Sequence, residues 1–521
     1  MDEMKNGRLC MQKEDWQVYS PSTGEQIATM TTTRVEDIAG IYEKSSHAFL
    51  SWSQLTVKER LHYIGALRNE LMQRLEEAST VVSSSTGKVK MDALASDIMP
   101  VLDFISFLHK KAEKILDKRR VETPLFFIGK KSYIDYMPMG TVLVISPWNY
   151  PFQLSMVPIL SAVISGNTII VKPSEVTPYV GKYMEELFQA AGFPEGVVQF
   201  AHGGKEVGAE LMKGNPNYVF FTGSVATGKI IARQAAEKLI PVTLELGGKD
   251  PMIVCHDANI ERAAKAAAWG AFTNSGQVCM SVERLYVDQR IYEPFVNAVK
   301  KEVAKLSQGT AETDDIGSMT SQMQVDIVKS HVEDALQKGA VLETGVSPEE
   351  WDETLFVKPM ILTAVTEDMK IIREETFGPV LPIIPFASEE EAIVMANNIE
   401  FGLNASVWSA DIEKAEKMAS QLVSGAVLIN DVIVSVANHH LPFGGTKQSG
   451  IGRYHGEQGL RMFCHEKAVM VDQGRKNSEL QWYPYKGKYD TFKQLVESYF
   501  GERKNWGTFL QSFLKLQKKS K

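Results

Sequence analysis

Cysteine is scarce in this 521-residue sequence. Its four thiols, Cys10, Cys255, Cys279 and Cys464, lie far apart and form no C-x-x-C pair. That spacing excludes a disulfide framework and a zinc finger or ribbon, so no metal site is expected. A few free thiols fit a reducing compartment such as the cytoplasm. Excess positive charge is also lacking: the formal net charge is −8, which argues against general nucleic-acid binding. The most apolar stretch, residues 141–171, is interrupted by Pro147, Pro151 and Pro158. It reads as buried α/β core rather than a membrane span. Residues 1–13 are polar and lack the apolar core of a signal peptide. Internal repeats and low-complexity blocks are missing, and no G-x-G-x-x-G follows an apolar run, so the ordinary dinucleotide fingerprint is absent.

What is present is alternation. Mixed-charge stretches at helical spacing fill residues 35–120, as in 58–77. Apolar strand-like runs follow at 132–137, 141–145, 168–171, 197–200 and 218–221, with helical segments at 176–191 and 228–239. Strands alternating with helices predict parallel pairing in a doubly wound sheet, and continuous apolar runs fit strands buried on both faces. A second α/β stretch runs from 251 to about 450, with strands expected at 284–287, 380–385 and 426–430.

Several short motifs carry possible chemistry. Cys279 follows Asn274-Ser275-Gly276-Gln277-Val278. A lone cysteine is most often a small buried hydrophobe. The Asn and Gly before this one suggest a tight turn into a helix or strand, and a helix N-terminus would lower the thiol pKa. Glu245 sits between apolar residues in Leu244-Glu245-Leu246-Gly247-Gly248-Lys249; burial would raise its pKa toward that of a useful base, or it is a buried glutamate paired within the fold. Asn149, in Pro147-Trp148-Asn149-Tyr150-Pro151, ends a strand. There its amide can donate to an oxyanion or simply satisfy a proline-rich turn. Phe221-Thr222-Gly223-Ser224 precedes a helix, where Gly223 and Ser224 would offer backbone amides to a phosphate. The same stretch nearly matches a P-loop, but Ile230 stands where Ser or Thr would bind Mg²⁺, which excludes an NTPase. Lys172 and Glu175 can hold ribose hydroxyls, and Glu175 would repel a 2′-phosphate, mildly favouring NAD over NADP.

Taken in order, these pieces closely resemble the aldehyde dehydrogenase superfamily, from about residue 15 to 473. The matching motifs are Pro147-Trp148-Asn149-Tyr150-Pro151, Lys172-Pro173-Ser174-Glu175, Phe221-Thr222-Gly223-Ser224, Glu245-Leu246-Gly247-Gly248-Lys249, Gly276-Gln277-Val278-Cys279, Glu375-Thr376-Phe377-Gly378-Pro379 and Pro442-Phe443-Gly444-Gly445. Tyr454-His455-Gly456 looks like the class 3 and fatty-aldehyde branch. The resemblance implies an α/β fold. It has a doubly wound NAD(P)-binding domain (1–119 and 139–246), a catalytic domain (247–450) and a small β oligomerisation arm (120–138 and 464–474) that makes a homodimer or dimer of dimers. It implies a thiohemiacetal and then a thioester on Cys279. Asn149 and the Cys279 amide would hold the oxyanion, and Glu245 would activate the hydrolytic water. Lys172, Glu175, Gly223, Ser224, Glu375, Phe377 and Trp148 would bind NAD or NADP. Tyr150, Val278, Met280 and Phe443 would lie near the nucleophile and suggest an apolar, medium- or long-chain aldehyde. A coenzyme A-acylating relative and a catalytically silent scaffold are the alternatives; Glu245, and the intact set of Cys279, Glu245 and Asn149, argue against them.

The tail, 475–521, lies outside that pattern. It has eleven Lys or Arg against four Asp or Glu, a net of +7. Phe492, Leu495, Val496, Tyr499 and Phe500 follow helical spacing, and Trp506, Phe509, Leu510, Phe513 and Leu514 repeat it. Two short amphipathic helices with aromatic and lysine side chains suit either peripheral membrane contact or docking on protein.

Overall fold

The computed structural model describes residues 15–520; Cys10, the polar segment 1–13 and Lys521 lie outside the described residues. An antiparallel pair, β1 (Asp15–Tyr19) and β2 (Gln26–Thr31), opens the chain. A run of helices follows. The expected helix over 58–77 is two, Val57–Gln73 and Leu75–Thr86, broken at Arg74. Thr56 and Glu59 form a capping box at the first, which fixes where that helix starts. Two short strands, β3 (Arg119–Val121) and β4 (Lys131–Pro138), come next.

Five parallel strands then alternate with helices: β5 (Thr141–Ile145), β6 (Thr168–Lys172), β7 (Val198–Phe200), β8 (Tyr218–Thr222) and β9 (Val242–Glu245). Their order is β9-β8-β5-β6-β7, so the winding reverses beside β5, where such sheets bind ligands at the strands' carboxyl ends. Side chains alternate across the sheet: Val142 and Val144 enter one core, Leu143 the other. Burial on both faces is why these segments read as unbroken apolar runs. The helices at 178 and 225 begin two residues later and three residues earlier than the apolar pattern predicts. Pro178 starts the first (Pro178–Ala190), and Ser224 caps the second (Val225–Glu237).

The second sheet contains β10 (Asp250–Val254), β11 (Val282–Asp288), β12 (Val341–Thr344), β13 (Met360–Thr363), β14 (Val380–Phe386), β15 (Asn404–Trp408) and β16 (Ala426–Ile429), in the order β12-β13-β14-β11-β10-β15-β16. Only β12 is antiparallel to its neighbour. A short strand, β17 (Gly450–Ile451), returns to pair antiparallel with β9 at Glu245 and Leu244. One core cluster takes Val142 and Val144 from the first sheet and Met252, Leu285 and Ile383 from the second, so both sheets share a core. All of this belongs to one compact unit, residues up to Asp117 with Tyr136–Glu466.

The other unit joins Lys118–Asp135 to the residues from Lys467 onward. The expected arm and tail are therefore a single body. Its sheet has the order β18-β4-β3, with β18 spanning Cys464–Val471. The two tail helices form as expected, Tyr489–Phe500 and Trp506–Lys519. Their apolar stripe divides. Leu495, Phe509 and Leu516 are buried with Phe492, Tyr499 and Phe513 against Leu125 and Phe126. Phe500, Trp506, Leu510 and Leu514 stay exposed. Among the described residues no helix is long and apolar enough to cross a membrane.

Candidate active site

The carboxyl ends of four parallel strands converge on one region. After β5, Pro147 and Pro151 bracket a turn that buries Asn149 before the helix Gln153–Ile164 begins. The Asn149 side-chain amide donates to the Gln277 carbonyl at 3.0 Å. Lys172, the last residue of β6, is bonded to exposed Glu175. After β8, Ser224 caps the next helix, its Oγ accepting from the Thr227 amide at 3.3 Å. That leaves the earlier amides of the first turn without intrahelical acceptors at a solvent-facing helix N-terminus.

Gly223 differs from its expected role. Its amide donates to the Glu245 carbonyl at 3.0 Å and so is not free for a phosphate. Gly is needed there for another reason: a Cβ would meet the Phe221 ring at 2.6 Å. The same bond ties the helix-entry turn to the backbone of Glu245, the last residue of β9. Glu245 is only 4% exposed, and neither carboxyl oxygen has a hydrogen-bond partner. Burial holds its pKa well above the usual 4.5, with Arg453 opposing. An unpaired buried carboxyl is costly to a fold and is where a proton acceptor is found.

Cys279 lies in the loop entering β11, not at a helix N-terminus. The loop is tightly wound: Asn274 and Ser275 both have positive φ, at 50° and 55°. Gly276 has φ +71°, and a Cβ there would come 2.3 Å from the Gly378 carbonyl oxygen. Cys279 is partly buried. Burial, then the charges of Glu375, Asp250 and Glu245, push its thiol pKa up. The expected helix-dipole lowering is therefore absent. Burial and the neighbouring charges thus disfavour the thiolate, and attack on a carbonyl calls for a base to take the thiol proton.

Gly276 brings this loop against the segment that carries Glu375 and Phe377. The Glu375 carboxylate accepts from the Gly248 amide at 3.0 Å. Burial, with Glu283 adding to it, pushes Glu375 up to about 8. Phe377 has φ 52°, and its amide donates to Glu283 at 2.9 Å. Glu283 also accepts from Thr376 at 2.8 Å and from buried Lys249 at 2.5 Å. Trp148 packs edge-on to Phe377, ring centres 5.3 Å apart. Tyr150, Val278, Met280 and Phe443 are all buried in the cluster against which Cys279 packs.

Sequence reasoning missed Lys88, Asp97 and Glu283, and it noted Tyr454 only as part of a branch-like motif. Tyr454 pairs backbone to backbone with Phe443 and lies 5.4 Å from its ring. Lys88, Asp97 and Glu283 have no local signature: each is an ordinary residue in an ordinary stretch, placed by the fold. Among the described residues no cluster of three or more His, Cys, Asp or Glu is arranged to hold a metal.

One half of the site fits a dinucleotide. An open helix N-terminus follows β8, a lysine–carboxylate pair ends β6, and Glu375 with Phe377 lies nearer Cys279. The buried half combines a thiol, an unpaired carboxyl and an oriented amide. Comparison with known proteins gives the family. Residues 10–469 match the aldehyde dehydrogenase family. The chain is 44% identical over 485 residues to the 4,4'-diapolycopene aldehyde oxidase of a Methylomonas species, covering 93% of this chain and 91% of that protein. It is 36% identical over 455 residues to a putative succinate-semialdehyde dehydrogenase [NADP(+)] of Mycolicibacterium smegmatis, covering 87% of each. The NAD+ complex of an aldehyde dehydrogenase from Bacillus cereus superposes with a TM-score of 0.83 at 35% identity, covering 88% of this chain and 94% of that one. Fold, site and sequence together place this chain in the aldehyde dehydrogenase family, oxidoreductases that act on an aldehyde group.

Proposed function

We propose that the chain oxidises an apolar aldehyde to its carboxylic acid through a covalent adduct on Cys279. The observation that carries this reading is Glu245, buried, without a partner, and close enough to raise the Cys279 thiol pKa by its charge. Cys279 Sγ bonds to the aldehyde carbon, and its proton passes to Glu245. The remaining N–H of the Asn149 amide and the Cys279 backbone N–H hold the developing oxyanion. Lys172, Glu175, Ser224, Glu375, Phe377 and Trp148 would hold NAD(P)+, which would supply a hydride acceptor, so that loss of hydride from the Cys279 adduct would leave a thioester. Glu245 gives the thiol proton to solvent, takes another from water as the water attacks the thioester carbon, and returns it to Sγ as the acid leaves. A coenzyme A-acylating enzyme needs no such base, and a silent scaffold needs none of the three groups.

The names of the two relatives set an aldehyde on a hydrocarbon chain against one carrying a carboxylate. Tyr150, Val278, Met280 and Phe443 favour the former, since none can pair with a second carboxylate. NAD(P)H absorbance with aldehydes of increasing chain length tests this. kcat/KM is expected to rise about fourfold per added methylene, following roughly 0.8 kcal/mol per buried CH₂. A preference for succinate semialdehyde would overturn it.

The second unit carries a surface suited to lipid. Phe500, Trp506, Leu510 and Leu514 are exposed beside Lys504, Lys515 and Lys518, the chemistry of a helix lying on an anionic lipid surface. Flotation with anionic vesicles should fail for the variant Phe500→Ser/Trp506→Ser/Leu510→Ser; equal flotation of that variant removes the membrane role. The edges of the arm sheet, β3 and β18, are open to pairing with a second copy, which supports a homodimer or dimer of dimers.

A further inference from the structure

Asn149 is held from three sides by groups that meet no reacting atom. Its side chain uses one N–H on the Gln277 carbonyl, and Gln277 belongs to the Cys279 loop. Its backbone carbonyl accepts two hydrogen bonds, from Lys88 Nζ at 2.8 Å and from Asn274 Nδ2 at 3.1 Å. Lys88 follows Gly87, whose left-handed φ of 83° ends a helix. There Lys88 is 2% exposed, with its Nζ 2.6 Å from Asp97 and 3.8 Å from the centre of the Tyr150 ring. Asp97 accepts the Gln153 amide at 3.1 Å, which fixes the far end of the Asn149 turn. Asp97 lies on a π-helical turn, Ala93–Ile98, of the kind often found at functional sites. Asp92, five residues earlier, accepts the Asn274 amide at 3.1 Å. The wide turn thus sends one aspartate to each side of the Asn149–Gln277 contact.

We propose that Lys88, seated by Asp97, is a positioning residue for Asn149: it pins the Asn149 carbonyl so that the second side-chain N–H meets the oxygen of a group bound to Cys279. This rests on the oxyanion role given to Asn149 above. A solvent-facing lysine would contribute little, and a fully buried one without a task is rare because burying an ammonium is expensive. Here every contact of its charged end goes to the turn around Asn149 or to the carboxylate that seats it. The strained Asn274 and Ser275 conformations fit the same picture, since such φ values persist where surrounding bonds over-determine them.

The test is acylation of Cys279 by p-nitrophenyl acetate without cofactor. Sulfur bonds to the acetyl carbon and p-nitrophenol leaves, so the oxyanion site is read without hydride transfer or aldehyde binding. Lys88→Met is expected to slow the p-nitrophenol burst by about 10²-fold, as for a small misplacement of a catalytic group, with iodoacetamide labelling of Cys279 unchanged. In an Asn149→Ala background the same change should add no more than about twofold. If Lys88→Met leaves Asp97 uncompensated and lowers Tm, Lys88→Met/Asp97→Asn removes both charges and should keep the slow burst. A wild-type burst in that protein, or effects of Lys88 and Asn149 that multiply, overturns the proposal while leaving the oxyanion reading intact. A wild-type burst in Asn149→Ala overturns both.

Discussion

Lys172, buried at the end of β6, and Glu175, exposed three residues further on, answer each other's charge. Glu245, three strands away at the end of β9, is buried with no hydrogen bond to either oxygen and only the charge of Arg453 opposing its burial. One rim of the same sheet therefore holds an ion-paired half that reaches solvent at Glu175 and an enclosed half whose carboxyl has no hydrogen-bond partner. The open half is suited to binding, where exposed pairs exchange partners at little cost. The closed half stores the cost of burying charge as basicity, which proton transfer uses.

Three substitutions probe that contrast. Cys279→Ser should abolish aldehyde oxidation, by about 10⁴-fold or more as for other single nucleophiles, while NAD binding measured by fluorescence titration persists. Retained oxidation would remove the covalent step. Glu245→Gln should slow turnover by about 10²–10⁴-fold and let a thioester accumulate, seen as added mass on Cys279. The same change should raise Tm. A carboxyl whose folded pKa is raised contributes stability below its unfolded value near 4.5 and loses it as pH rises through the folded value. The gain in Tm should therefore grow with pH above about 4.5 and vanish below it; a Tm that falls at neutral pH would mean Glu245 has a partner in the fold. The smallest effect is at the open rim. Glu175→Gln should shift the NADP to NAD ratio of kcat/KM by about fivefold, the roughly 1 kcal/mol of one charge at 4 Å in water-like surroundings. An unmoved ratio would place the 2′-position elsewhere.

The parallel strands could be read in the sequence because burial on both faces leaves a run such as 141–145 wholly apolar. The site residues could be read where the backbone needs a special residue, as at Gly276 and Pro147. The direction of the Cys279 shift could not, because it depends on Glu245, Asp250 and Glu375 from separate segments. Neither could the loss of the Gly223 amide to Glu245, which is a choice between two acceptors. Lys88 and Asp97 were invisible for the plainest reason: a lysine in a polar stretch looks solvated until the fold closes over it. In the tail, periodicity gave both helices but could not say which half of each stripe would turn inward.

That inward half has a consequence for synthesis. Leu125 and Phe126 are covered by residues beyond Leu480, and the intervening chain lies mostly in the other unit. At roughly 5–20 residues per second on a ribosome, these two side chains wait tens of seconds for their cover. A nascent chain that stops short of Leu516 leaves a greasy arm next to open strand edges, and so is marked as unfinished to any chaperone that reads exposed apolar surface.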